Sequence, residues 1–113
     1  MKTIKVYDIT GCRAVMDTPD GDIVYKQIQE EFEKGEDVTL DFENVDTILS
    51  IFLNSAIAPL YSEYDGEYLK EHLIIKNMSD DDKLTLKRVN SRAKQFYKEK
   101  KEEGKYNMED IYG

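Results

Sequence analysis

The chain has 113 residues, 40% of them hydrophobic and 35% charged, with a formal net charge of −8 at pH 7. That is the size of one domain able to bury a core without metal or disulfide help, and the composition is polar without being that of a disordered chain. A lone cysteine, Cys12, excludes an internal disulfide, no apolar run is long enough to cross a membrane, and the leading MKTIKVYDIT lacks an apolar signal core. The expectation is a single cytoplasmic domain over residues 1–113, with 102–113 as a flexible tail.

Taken in chain order, Thr3 to Ile9 reads as a strand broken by Gly11, and Arg13 to Asp17 as a second strand pairing antiparallel with it. Thr18, Pro19 and Asp20 open a helix, with Thr18 as the cap and Val24, Tyr25, Ile28 and Phe32 as its buried stripe, and Gly35 closes it. In DVTLDF, Asp37 to Phe42, the residues Val38, Leu40 and Phe42 alternate at period two, which predicts a strand with one face in a core. The following helix carries Phe52, Leu53, Ala56, Ile57, Leu60, Tyr61 and Tyr64 on one stripe, and Pro59 within it should force a kink or a restart.

Asp65 to Glu67 reads as a turn or a loosened helix end. Leu73 to Ile75 is apolar on consecutive positions, which suits a strand covered on both faces. A last helix starts at Ser79, with Asp80 to Asp82 in its first turn, buries Leu86, Val89, Ala93, Phe96 and Tyr97, and stops before Gly104. Strand, helix, strand from Val38 to Lys76 is a crossover unit joining parallel strands. The fold is expected to be α/β, a four-stranded mixed sheet with about three helices packed on it.

Charge is distributed unevenly. From Lys83 to Lys105, nine Lys or Arg stand against three Glu, while the rest of the chain is acidic. The basic helix is expected to lie on the acidic body or on an acidic partner, and the overall negative field disfavours nucleic acid. Few groups are available for catalysis: one His72, one Cys12, no Gly-rich phosphate loop, and no paired Cys or His spacing for zinc. His72 reads as structural, and the three consecutive aspartates read as helix-start residues rather than a metal site, because neighbours on a helix point in different directions. No catalytic residue, metal or cofactor is expected.

The run LDFENVDTILSIFLNSAI, Leu40 to Ile57, resembles the strand, loop and helix of STAS domains, the family of anti-sigma-factor antagonists and sulfate-transporter tails, whose usual form is L-x-x-V-x-x-x-D-S-S-G-L. Val45 falls at the loop valine, Leu49 at the motif aspartate, Ser50 at the serine that bacterial regulators phosphorylate, Ile51 at the second serine, Phe52 at the glycine and Leu53 at the leucine. Together with Gly11 and Arg13 as G-x-R, and Asp20 and Gly21 as D-G, the pattern is similar to a divergent STAS-like branch of unknown function. The resemblance covers residues 4 to 97.

It implies a non-enzymatic regulatory module that binds a protein partner of the sensor-kinase or ATPase type at the N-terminus of the central helix. The implied site is Ser50, Leu49, Ile51, Phe52, Asn54 and Arg13. Ser50 has two readings, a helix cap and a phosphorylation switch, and Arg13 and Asn54 are expected to converge on the loop before the helix. Two alternatives stand beside this: a small-ligand or nucleotide-binding domain, as some STAS domains are, and a small phage-type inhibitor whose acidic body mimics nucleic acid.

Overall fold

In a computed structural model, the backbone is described for residues 1–112 apart from Cys12 and Met16, and side chains for residues 1–97 apart from those two and Val15. Strand β1 is only Lys2–Lys5, because the chain turns into a short helix, α1, at Val6–Thr10. A helix suits these residues better than the expected strand: Val6 and Ile9, three apart, share one helical face and both reach the core, whereas in a strand they would point to opposite sides. Gly11 ends α1 in the left-handed conformation, φ 67°, with its N–H donating to the Tyr7 carbonyl at 2.7 Å.

This detour removes the fourth strand from the sheet. Strand β2, Ala14–Val15, does not return antiparallel to β1; it pairs parallel with β4, Thr47–Ile48, in a separate two-stranded sheet. The main sheet has three strands, all parallel, in the order β1-β3-β5, with β3 at Val38–Asp41 and β5 at Leu73–Lys76. Lys2, Val38 and Leu73 are in register, as are Lys5, Asp41 and Lys76. The expected four-stranded mixed sheet is thus replaced by a parallel one, while the α/β class and the parallel crossover stand.

Among the described residues there are five α-helices and one 3-10 helix, rather than about three. Helix α2, Thr18–Glu33, is capped by Asp17 instead of Thr18: the Asp17 carboxylate accepts the Asp20 N–H at 3.3 Å, with Pro19 in the first turn. Helix α3, Ser50–Ala56, stops before Pro59, and the chain restarts as a 3-10 helix at Ala58–Ser62, as the missing proline N–H dictates. Asp65 opens a further helix, α4, Gly66–His72, by accepting the Tyr68 N–H at 2.7 Å, so the expected turn is a helix start. Helix α5, Asp80–Tyr112, begins with a reciprocal cap, in which Ser79 Oγ accepts the Asp82 N–H at 3.2 Å and donates to the Asp82 carboxylate at 2.9 Å. It runs through Gly104 to Tyr112 and does not stop before Gly104 as expected; the side chains of the expected tail at 102–113, like Cys12, lie outside the described residues.

The core is continuous: Ile4, Val38 and Leu40 of the sheet and Phe42 just beyond β3 join Val24, Ile28, Phe52, Ala56, Ile57 and Leu60. The helical side of the sheet carries Ile4, Leu40 and Ile75, while the opposite side presents exposed Thr3, Lys5, Ile74 and Lys76. Strand β5 is accordingly covered on one face only, an edge strand and not the doubly covered one its composition suggests. Of the residues expected in the buried stripe of α5, Ala93 is buried and Tyr97 half-buried, whereas Phe96 is 56% exposed.

Aromatic rings tie α2 to α4. Phe32 meets Tyr64 and Tyr68 edge-on at 5.0 and 5.4 Å, and Tyr68 lies against His72 at 4.2 Å. His72 Nδ1 is 2.6 Å from Asp37 Oδ1, which links the end of α4 to the residue before β3, the structural role its position suggests.

Candidate functional site

The loop from Phe42 to Leu49 carries the chain from the C-terminal end of the central strand to α3, and β2 fixes it from the side. Arg13 is central to this: its carbonyl accepts the N–H groups of Asp46 at 2.7 Å and Thr47 at 3.2 Å, and its Nη1 is 3.2 Å from Asp46 Oδ2. Arg13 therefore does converge on the loop before the central helix. Its ion pair is exposed at both ends and adds little to stability. Backbone pairing holds the loop.

Leu49 is the N-cap of α3 and supplies no side-chain hydrogen bond, which leaves Ser50 one residue inside the helix and exposed. Ser50 is thus not the cap. The cause is register: Phe52 and Leu53 are both wholly buried, and seating them in the core sets where the helix begins. Leu49 and Ile51 are 44% and 50% exposed. Phe52 belongs to the core, its ring edge-on to Phe42 at 6.5 Å, and so lies outside the partner-facing surface the resemblance assigns it to. Asn54 is exposed one turn after Ser50, beside a hollow of about 250 Å³ that Ala58, Arg92 and Phe96 also line. The structure therefore brings Leu49, Ser50, Ile51 and Asn54 together at one end of α3, holds Arg13 behind the loop, and withdraws Phe52.

Sequence reasoning passed over Asp41. It is only 5% exposed, and its Oδ1 accepts two hydrogen bonds, from Asn77 Nδ2 at 2.8 Å and from the Glu43 N–H at 2.9 Å. Burial on its own would raise its pKa, but these bonds and the flanking Lys76 and Lys5 charges outweigh burial and hold the carboxyl below its ordinary value of 3.8. Asn44 and Asn77 each adopt positive φ, 68° and 61°, a conformation asparagine tolerates, so the loops leaving β3 and β5 both turn around this carboxylate. An aspartate in an otherwise apolar strand followed by E-N is the signal that marks it.

The depressed pKa has a stability consequence of definite sign. The Asp41 contribution is complete above 3.8 and is lost as pH falls through the lower folded value. Asp41→Asn is expected to cost about 1 kcal/mol near neutral pH. Urea denaturation should show the gap between wild type and variant narrowing as pH is lowered towards 2.5; a gap that widens on acidification would contradict the assignment.

Among the described residues, no ion pair involves Lys83, Lys87, Arg88, Arg92 or Lys94, so the expected docking of a basic helix on an acidic body is not what holds α5 in place. Apolar contacts of Leu86, Val89 and Ala93 do so. Among these residues no group of three His, Cys, Asp or Glu is gathered as a metal would require, and no helix is long and apolar enough to cross a membrane.

A central buried strand, a loop fixed from the side and a short helix carrying a serine on its first turn make up an α/β domain with helices packed on a parallel sheet. Residues 20–83 match the family described as a STAS-like domain of unknown function, and the chain belongs to that family. No curated protein and no solved structure gave a match.

Proposed function

We propose that this protein is a non-enzymatic regulatory module that captures a protein partner of the ATP-binding kinase type on the surface formed by Leu49, Ser50, Ile51 and Asn54, bordered by the Arg13–Asp46 pair. The observation that carries this is the exposure of two large apolar side chains, Leu49 at 44% and Ile51 at 50%, on either side of an exposed serine. Both are held on a helix anchored by the wholly buried Phe52 and Leu53, so the surface is fixed before any partner arrives and little ordering entropy is lost on binding. A phosphate on Ser50 would add about −1.5 to −2 charges between those side chains. A partner covering them would then have to desolvate that charge, which makes modification of Ser50 a release signal.

The test is capture of an ATP-binding partner by wild type, Ser50→Ala, Ser50→Asp and Ile51→Asp side by side. Ser50→Ala should bind like wild type, because its hydroxyl caps nothing, while both aspartate variants should lose the partner with melting temperatures unchanged. Undiminished binding by Ile51→Asp would remove the surface from consideration, and undiminished binding by Ser50→Asp would remove the switch.

A further inference from the structure

Strand β5 closes one side of the main sheet, and among the described residues it pairs with β3 alone. The opposite edge, β1, carries a lysine at each of its ends, Lys2 and Lys5, a pattern that blunts an edge against further pairing. β5 is apolar over Leu73, Ile74 and Ile75, and its one charge, Lys76, comes last. The Phe42 N–H donates to the Lys76 carbonyl, so Lys76 turns its backbone groups towards β3. Those groups alternate in direction along a strand, which points the Ile75 N–H and carbonyl and the Leu73 carbonyl the other way, out of the sheet edge. The Leu73 N–H is taken by the Leu69 carbonyl.

Beside this edge lies a hollow of about 430 Å³ between α4, β5 and α5. Leu73 and Ile75 line it from the strand and Leu86 from α5, and both strand residues are only half-buried. A free edge with a groove and a facing helix is what strand addition uses: ladder bonds hold an extended segment, and a pocket takes every second side chain. The rim of the groove is positive. Lys70, Lys87 and Lys94 line the hollow, all three are exposed, and among the described residues none of them forms an ion pair. They stand on a chain of net charge −8, so the rim locally reverses the sign of the protein's field.

We propose that β5 is a docking edge for an extended acidic segment of a partner protein, which adds to the sheet as a fourth strand, seats an apolar side chain in the hollow and sets its carboxylates against the rim lysines. A second copy of this chain is the occupant the charges disfavour: two β5 edges joined about a two-fold would bring each set of three lysines against its own equivalent. A small free anion would leave the outward Ile75 N–H and carbonyl unused. The edge shares no residue with the surface around Ser50 and does not depend on the proposal made for it.

The test is titration of the full chain with the fluorescein-labelled peptide DEVIVED, amidated at its C-terminus and read by anisotropy. Its sequence is the same in both directions, with an apolar centre and acidic ends, so it suits a parallel or an antiparallel strand. It should bind saturably, and the basic counterpart KKVIVKK should bind at least tenfold more weakly. Backbone methylation then tests strand addition with the protein unaltered. In an extended peptide the N–H of the central isoleucine and those of the two valines face opposite sides, so N-methylation of the isoleucine in one peptide, and of both valines in another, blocks one side at a time. One of these peptides should lose at least tenfold while the other binds as the parent does. Lys87→Glu combined with Lys94→Glu, both exposed positions, should weaken the parent peptide at least tenfold while the free protein melts as wild type. No saturable binding, equal affinities of the two methylated peptides, or affinity indifferent to the lysine reversals would overturn the proposal. Sedimentation that shows a dimer split by the peptide would overturn it too, by assigning the edge to a second copy.

Discussion

Phe42→Ala is expected to destabilise the protein by about 3 to 5 kcal/mol, the largest loss among the substitutions considered. Phe42 is 1% exposed, follows the last residue of β3, and meets the Phe52 ring edge-on at 6.5 Å, so it joins the sheet to α3. Its N–H donates to the Lys76 carbonyl at 2.9 Å, which holds the backbone in place whichever side chain is present. The cost is therefore the lost burial and the cavity left between strand and helix, not a broken ladder. Chemical denaturation reads it directly, and a loss below about 1 kcal/mol would mean that the space collapses and that Phe42 is not the link.

Gly21→Ala should be the next most damaging change, at about 1 to 3 kcal/mol, although alanine is the better helix former by about 1 kcal/mol in open surroundings. A Cβ at position 21 would lie 2.8 Å from the Phe52 carbonyl and 2.9 Å from Ser55 Cβ, and would run into Ser55 Oγ. The serine cannot simply swing aside without loss, because its hydroxyl donates to that same Phe52 carbonyl at 3.0 Å. The backbones of α2 and α3 would have to separate, and the start of α3 would move with them. Thermal melts should show Gly21→Ala below wild type and Gly21→Ala with Ser55→Gly recovering part of the loss. A Gly21→Ala protein as stable as wild type would show that the two helices are not in close contact.

The elements most legible in the sequence were those whose local chemistry and tertiary demand agree. The stripe Val24, Ile28, Phe32 and the alternation Val38, Leu40, Phe42 are such cases, and all six residues are buried as the pattern requires. Pro59 acted as its missing N–H predicts. Legibility failed where a short apolar segment fits two geometries: the stretch from Val6 to Ile9 satisfies both a strand and a helix, and only burial of two residues three apart separates them. The missing fourth strand follows from that one ambiguity.

At the candidate site, the resemblance located the exposed serine and its apolar neighbours, and the pairing of β2 with β4 brought Arg13 to the loop. The helical stripe placed Phe52 in the core, where it is 0% exposed, and only the resemblance assigned it to the surface, because position in a motif carries no information about which way a side chain turns. The same limit hid the capping role of Asp17 behind Thr18 and left Leu49, a residue without a side-chain acceptor, as the cap of α3. Asp41 was hidden for a further reason: its partners Glu43 and Asn77 come together only when β5 lies beside β3.

The all-parallel order β1-β3-β5 bears on how the chain folds. No two of these strands are joined by a hairpin, so no sheet contact can form early and locally. Each pairing closes a loop of roughly 35 residues before any ladder bond forms, an entropic cost met twice and met through the same strand. β3 must be recruited in both events, and substitutions in it should slow refolding more than they speed unfolding, whereas substitutions on the outer face of α5 should act on unfolding alone. A chain built this way folds slowly for its length, with its central strand last to be spared and first to be missed.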